Sequence, residues 1–253
     1  VTGAEVIEIF SSVQGEGLWL GERQIFLRLA GCNLSCPYCD TPRDPSDRGC
    51  RVEWTPGRRD FRYLPNPLTN EGILDVFRRL DATWGPHHFV SITGGEPLLQ
   101  VDFLTGFLPA LKGAGFSSYL ETNGTLPVAL GRIVEQVDRV SMDFKLPFAP
   151  RGEVSREAAL SFLAVAAPLL SRASLQVKVV VTRDLSPEDV EDAAALVASV
   201  ACGIPLILQP VTPAGPLGER PDPAELLRHQ SRAAKILDTV RIIPQVHRCM
   251  GLL

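Results

Sequence analysis

The sequence predicts an α/β fold in which parallel strands alternate with crossover helices, and three observations carry this. Short runs rich in Val, Ile and Leu recur along the chain. Between them lie segments with one apolar stripe at helical spacing, an alternation that brings strands side by side in parallel. The 253 residues, 45% hydrophobic and 21% charged, also suffice for one large core, and α/β barrels of this length are common.

Strands are expected at Glu5–Phe10, Gln24–Ala30, Phe89–Thr93, Ser117–Glu121, Arg139–Met142, Gln176–Val181, Pro205–Gln209 and Val240–Ile243, each a compact apolar or β-branched run. Asn70–Asp81 reads as a helix because Ile73, Phe77 and Leu80 share a stripe. Ser186-Pro187 supplies an N-cap and a proline at the first helical position, opening a helix to about Val200. Asp222-Pro223 opens another, ending near Asp238. Pro42–Pro67 interrupts the alternation with six arginines, four acids and five prolines. It reads as an insertion, residues 42–67, with a short hairpin around Pro56-Gly57. It could be a solvated excursion, a lid, a dimer contact or a docking patch for an acidic electron donor. The rest reads as one domain, 1–253.

A net charge of −4 gives no reason to expect nucleic-acid or membrane binding. No apolar run reaches transmembrane length, so a soluble, cytoplasmic protein is expected. Arginines number 21 and lysines four, which singles out Lys145 and Lys178, both in or beside strands.

Folds of this class place their sites at the C-terminal ends of the strands. There the chain carries Cys32, Cys36 and Cys39, then Thr93-Gly94-Gly95-Glu96, Glu121–Thr125, Ser141–Lys145 and Gln209-Pro210, so five loops should line one mouth. Three thiolates in CxxxCxxC spacing suit a 4Fe-4S cluster with one iron left open for a small molecule. A structural zinc completed by a histidine or Cys50, in a non-catalytic binding protein, is the alternative. Gly94 and Gly95 let backbone approach a ligand closely. Gln14 and Glu16 point the same way if their segment is extended, and an amide beside a carboxylate can pair with an aminopyrimidine edge. Arg28, in an otherwise apolar strand, needs an anion: a substrate carboxylate or an internal acid. His87, His88 and His229 read as solvated, whereas His247 follows the last strand.

CxxxCxxC with an aromatic before the third cysteine, together with TGGEP, resembles the radical S-adenosylmethionine (SAM) enzymes. VQGEG at 13–17, Arg28, CNLSCPYCDT at 32–41, TGGEPLLQ at 93–100, ETNGT at 121–125, LQPV at 208–211 and PQVHR at 244–248 resemble, in order, the 7-carboxy-7-deazaguanine synthase family. A glycyl-radical-enzyme activase shares the first two motifs but would have no use for VQGEG, Arg28 and the C-terminal histidine.

The resemblance implies an incomplete, modified (β/α)6-type TIM-like barrel. It also implies a lyase that converts 6-carboxy-5,6,7,8-tetrahydropterin to 7-carboxy-7-deazaguanine with loss of ammonia. Cys32, Cys36 and Cys39 would hold the cluster and Thr41 a Mg2+ ion. Tyr38, Cys39, Asp40, Gly95, Ser141, Asp143, Lys145, Gln209, Pro210, Val211 and Thr212 would contact SAM. The register at 141–145 is loose, because compact relatives have a shorter Ser-Pro-Lys segment. Val13, Gln14, Gly15, Glu16, Arg28, Thr93, His247 and Leu253 would contact the substrate. Leu253 is reached differently: the apolar tail after His247 should pack at the mouth, so that its carboxylate meets the pterin amino edge or merely plugs the site. A homodimer and a flavodoxin- or ferredoxin-type reductant complete the expectation.

Overall fold

The computed structural model describes residues 3–39, 41–42, 44–146, 155–168, 172–213 and 219–253. One sheet of ten strands runs through it in the order β10-β9-β8-β7-β6-β5-β2-β1-β3-β4. Strand β2 (Arg23–Leu29) pairs in parallel with β5 (Phe89–Gly94). Beyond it β6 (Ser118–Thr122), β7 (Arg139–Asp143), β8 (Leu175–Val181), β9 (Leu206–Pro210) and β10 (Val240–Ile242) continue in parallel. The crossovers are α1 (Asn70–Trp84), α2 (Val101–Gly113), α3 (Pro127–Gly131), α4 (Arg156–Ala166), α5 (Pro187–Val200) and α6 (Pro223–Ala233). Six strand–helix units from β2 to α6 therefore form the (β/α)6 array expected. The two ends of the sheet, β10 and β4, do not pair, so the barrel is incomplete.

The helix boundaries have local causes. Thr69 caps α1 by accepting from Gly72 N, and Ile73, Leu74, Val76, Phe77 and Leu80 bury one face. Ser186 and Asp189 form a reciprocal capping box on α5, with Pro187 at the first position. Asp222 caps α6, which ends at Ala233 rather than near Asp238. Most of the core lies between the helices and the sheet, around Leu27, Ile92, Leu120, Val140, Val177 and Leu208. No helix among the described residues is long and apolar enough to cross a membrane.

Three expectations are corrected. Strand β1 (Val6–Val13) is antiparallel to β2 and so stands outside the parallel array. The 42–67 insertion does contain a hairpin, β3 (Cys50–Glu53) with β4 (Phe61–Leu64), but β3 pairs with β1 and extends the main sheet. Its arginines stack on aromatic rings, Arg62 over Trp54 at 3.8 Å, and Arg79 of α1 covers the same ring at 3.4 Å. His87 and His229 are buried rather than solvated. His87 bridges Ser11 Oγ at 2.7 Å and Asp81 Oδ1 at 2.8 Å, tying β1 to the end of α1. His229 sits inside α6 at 2% exposure. Burial lowers the pKa of both imidazoles.

Candidate active site

The strand ends converge as their sequence positions require. Beyond β2, Gly31 leads into the cysteine loop, and beyond β5 comes Gly94-Gly95-Glu96. The two loops touch through backbone. Gly95 N donates to Leu29 O at 3.1 Å and Glu96 N to Gly31 O at 2.8 Å. A Cβ on Gly95 would stand 2.0 Å from Gly31 O, and one on Gly94, at φ +135°, 2.1 Å from Leu29 O. The glycines thus admit neighbouring backbone first, while both also line the cavity described below. Gly95→Ala is expected to push the cysteine loop outward and sharply reduce iron loading, measured as iron and sulfide per protein; loading like that of the parent would contradict this reading of the contact.

Glu96, fully buried, joins these loops to the one after β6. It accepts from Leu98 N at 3.0 Å, Thr122 Oγ1 at 2.8 Å and Asn123 N at 2.7 Å. Burial outweighs those bonds and lifts its pKa to about 7. Asn123 Nδ2 then donates to Asn33 Oδ1 at 2.9 Å, and Asn33 Nδ2 to Thr125 Oγ1 at 2.8 Å. The TNGT turn therefore holds the cysteine loop through side chains, where the glycines hold it through backbone.

A cavity of about 180 Å³ opens between these loops. Cys32, Cys36, Cys39, Tyr38, Thr41, Thr93 and Gly95 line it, with Ser141, Asp143, Lys145, Gln209, Glu16 and Arg28. A neighbouring cavity of about 100 Å³ shares Tyr38 and Gln209 and adds Val211 and Thr212. Another of about 80 Å³ is lined by Val13, Gln14, Gly15, Glu16, Arg28, Thr93, His247 and Leu253, all eight residues expected to meet substrate. Pro210 ends β9 beside Gln209 but lines none of the three, and Asp40 lies outside the described residues. His247 belongs to a short helix after the last strand, α7 (Val246–Cys249), and packs so closely on Gly15 that a Cβ there would meet its Nδ1 at 2.0 Å. The main-chain oxygen of Leu253 accepts from Ser12 Oγ at 3.1 Å.

Charge in the main cavity is paired. Asp143 Oδ2 meets Lys145 Nζ at 2.7 Å and Lys178 Nζ at 3.3 Å, and Lys178 also pairs with Glu16. Burial alone would raise the pKa of Glu16. The Lys178 ammonium and the bonds from Lys178 and Gln245 outweigh it and bring the carboxyl to about 2. Burial, reinforced by the Glu16 charge, raises the pKa of Glu121, which accepts from Ser91 Oγ at 2.6 Å and Gln14 Nε2 at 3.0 Å. Arg28 takes the internal option left open by the sequence. Its Nε donates to Glu8 Oε1 at 2.9 Å and its Nη1 to Thr41 Oγ1 at 3.1 Å, yet the side chain still lines both cavities.

Two site residues were placed by motif but given no role of their own: Glu121, at the head of the ETNGT loop, and Gln245, within PQVHR. Lys178 stood out as a rare lysine, but its carboxylate partners did not.

The donor set fits an iron–sulfur cluster. All six cysteines are free, and three line one cavity. Cys32, Cys36 and Cys39 follow one another within one loop and share that cavity, the thiolate donors an iron–sulfur cluster takes. Cys50 is buried in β3, away from the cavity, its thiol pushed up to about 12 by burial and then by Glu8. SAM also finds complementary groups, since the buried Asp143 Oδ1 and Gln209 Oε1 accept no bond from the described residues and would meet its amino and hydroxyl donors.

The Radical SAM superfamily model matches residues 27–197. The 7-carboxy-7-deazaguanine synthase of Geobacter sulfurreducens is 44% identical over 253 residues, covering 99% of this chain and 98% of that protein. The chain belongs to the 7-carboxy-7-deazaguanine synthase family. The synthase of Methanothermobacter thermautotrophicus is 34% identical, with 98% of each chain covered. Among solved structures, QueE from Escherichia coli superposes with a TM-score of 0.61 at 24% identity, over 96% of this chain and 94% of that one, a likeness of fold. As a 7-carboxy-7-deazaguanine synthase family member the protein is a radical SAM enzyme, with a 4Fe-4S cluster, SAM and Mg2+ as its cofactors. The zinc-protein and activase alternatives fall with that membership.

Proposed function

We propose that the protein converts 6-carboxy-5,6,7,8-tetrahydropterin to 7-carboxy-7-deazaguanine and ammonia, in the 7-deazapurine (queuosine) pathway. The observation that carries this reading is the small cavity, where two amides, two carboxylates, an arginine and a histidine surround a space that shares Glu16, Arg28, Thr93, Glu121 and Gln245 with the cysteine-lined one. Glu16, supported by Gln14, accepts from the pterin amino edge. The Arg28 guanidinium faces the carboxylate, His247 faces the substrate, and Thr93, Gly15, Val13 and Leu253 shape the walls.

Cys32, Cys36 and Cys39 hold the cluster. Tyr38, Asp40, Gly95, Ser141, Asp143, Lys145 and Gln209–Thr212 receive SAM, and Thr41 contributes a hydroxyl to Mg2+, an ion that often takes few protein ligands. When bound, the cofactors would supply the radical chemistry that removes hydrogen from the substrate. The residues of the small cavity would hold the pterin beside the cysteine-lined one. Thr41→Ala is expected to raise the Mg2+ concentration for half-maximal activity while iron content stays unchanged; an unchanged Mg2+ requirement would remove Thr41 from the site.

A reducing cytoplasmic setting, homodimerisation and a flavodoxin- or ferredoxin-type reductant belong to the same proposal. The arginines of the β3–β4 hairpin suit an acidic reductant. The deciding experiment incubates reconstituted enzyme anaerobically with carboxytetrahydropterin, SAM, Mg2+ and reductant. Formation of 7-carboxy-7-deazaguanine with one ammonia supports the reading. Slow deoxyadenosine release without any deazaguanine overturns it.

A further inference from the structure

Glu16 belongs to a turn that β8 holds from inside the barrel. Gln176 and Lys178 are two apart on that strand and so face the same way. Gln176 Oε1 accepts from Leu18 N at 2.8 Å and packs against Gly17, where a Cβ would come within 2.1 Å of its Nε2. Lys178 pairs with one oxygen of Glu16, while Gln245 Nε2 donates to the other at 2.7 Å. The Lys178 side chain is 9% exposed and that of Glu16 16%, so water screens this pair little.

Other charged and titratable groups surround the carboxylate. Glu121 from β6, Asp143 and Lys145 from the end of β7, Arg28 from β2 and His247 from α7 all line cavities that Glu16 also lines. Without a close cation, a carboxyl this buried and this near Glu121 would tend to take up a proton. Protonation would turn an acceptor into a donor, facing the ring N–H groups it has to receive.

We propose that Lys178 is a positioning residue for substrate recognition, its ion pair keeping the Glu16 carboxylate charged and aimed at the small cavity for a 2-amino-4-oxopyrimidine edge. This rests on the substrate reading above and adds a division of labour, in which Lys178 serves the protein's own carboxylate rather than a ligand's.

The sign of the pH effect follows. With Lys178 present Glu16 stays ionised through neutral and mildly acidic pH, so affinity should be flat. With Lys178 replaced by methionine the carboxyl titrates higher, and affinity should fall by about tenfold per pH unit below that pKa. The probe is 6-carboxypterin, the oxidised and unreactive form of the substrate. Its Kd is measured by equilibrium dialysis against SAM-loaded holoenzyme between about pH 6 and pH 8.5.

The parent enzyme should change less than threefold across the range. Lys178→Met should bind at least tenfold more weakly at the acid end than at the alkaline end. Lys178→Arg should restore the flat profile, and adding Glu16→Gln to Lys178→Met should abolish the pH dependence at a uniformly weak affinity. His247 and Glu121 remain in all these proteins, so the difference between profiles isolates the ion pair. A flat profile for Lys178→Met, at parental or uniformly reduced affinity, overturns the proposal, as does an Arg variant that behaves like Met. If Lys178→Met fails to fold, Lys178→Gln takes its place with the same expected slope. A parent enzyme that binds SAM but not 6-carboxypterin overturns the substrate reading itself, a different result from any of these.

Discussion

Alanine at any one of Cys32, Cys36 or Cys39 is expected to yield protein with almost no cluster iron and no turnover. A cubane has four irons, and this chain brings three thiols to its cavity, so the cluster already lacks one protein ligand. A further deletion leaves attachment at two corners. Cys50 provides the contrast. Its side chain is fully buried in β3, its thiol is held protonated by burial, and it lines none of the cavities. Cys50→Ala should keep parental iron and sulfide and the parental visible absorption, at a cost of about 1 kcal/mol in stability for the small void left. Iron loss from Cys50→Ala, or full iron in Cys36→Ala, would show that the ligand set is misassigned.

The seven parallel strands were legible to within one or two residues, because each is an apolar run whose composition alone sets it apart from its flanks. The direction of β1 was not. Glu5–Phe10 reads like any other strand, and its antiparallel pairing depends on the return at residues 14–22, where Gln14 N bonds Glu22 O and Gly21 N bonds Gln14 O. Nor did composition show that β3 docks on β1, since an arginine-rich segment looks solvated until Trp54, Phe61 and Tyr63 are seen to lie under the guanidiniums. His87 misled for a related reason. Its proline-flanked position suggests a surface turn, while the partner that buries it, Ser11, is 76 residues away.

Within the site, residues carried by contiguous motifs were legible and those defined by pairing were not. The cysteines, the glycines and VQGEG announce themselves by spacing. Lys178 meets Glu16 across 162 residues, Gln14 meets Glu121 across 107, and Gln245 meets Glu16 across 229. Single-chain patterns contain no trace of such pairs, which only the assembled sheet brings together.

Glu16→Gln is expected to raise the KM for carboxytetrahydropterin by roughly ten- to a hundredfold, equal to about 1–3 kcal/mol for polar groups left mismatched in a buried site. The amide puts one NH2 donor where an acceptor stood, and in the small cavity that donor would face the amino and ring N–H donors of the pterin. The parent carboxylate is already ionised, its pKa held near 2 by Lys178 and Gln245, so the loss should be present throughout the neutral range rather than only in acid. SAM affinity should change little. Lys178 keeps Asp143 at 3.3 Å as a counter-charge, and Asp143 keeps Lys145 at 2.7 Å, so the cofactor side of the charge network stays neutralised. The two parameters therefore separate the roles of the two ends of that network. Measuring KM for the pterin alongside the Kd for SAM checks this. An unchanged KM would remove Glu16 from substrate recognition, and a parallel loss of SAM affinity would mean that the ion pair supports the whole mouth of the barrel rather than the pterin edge.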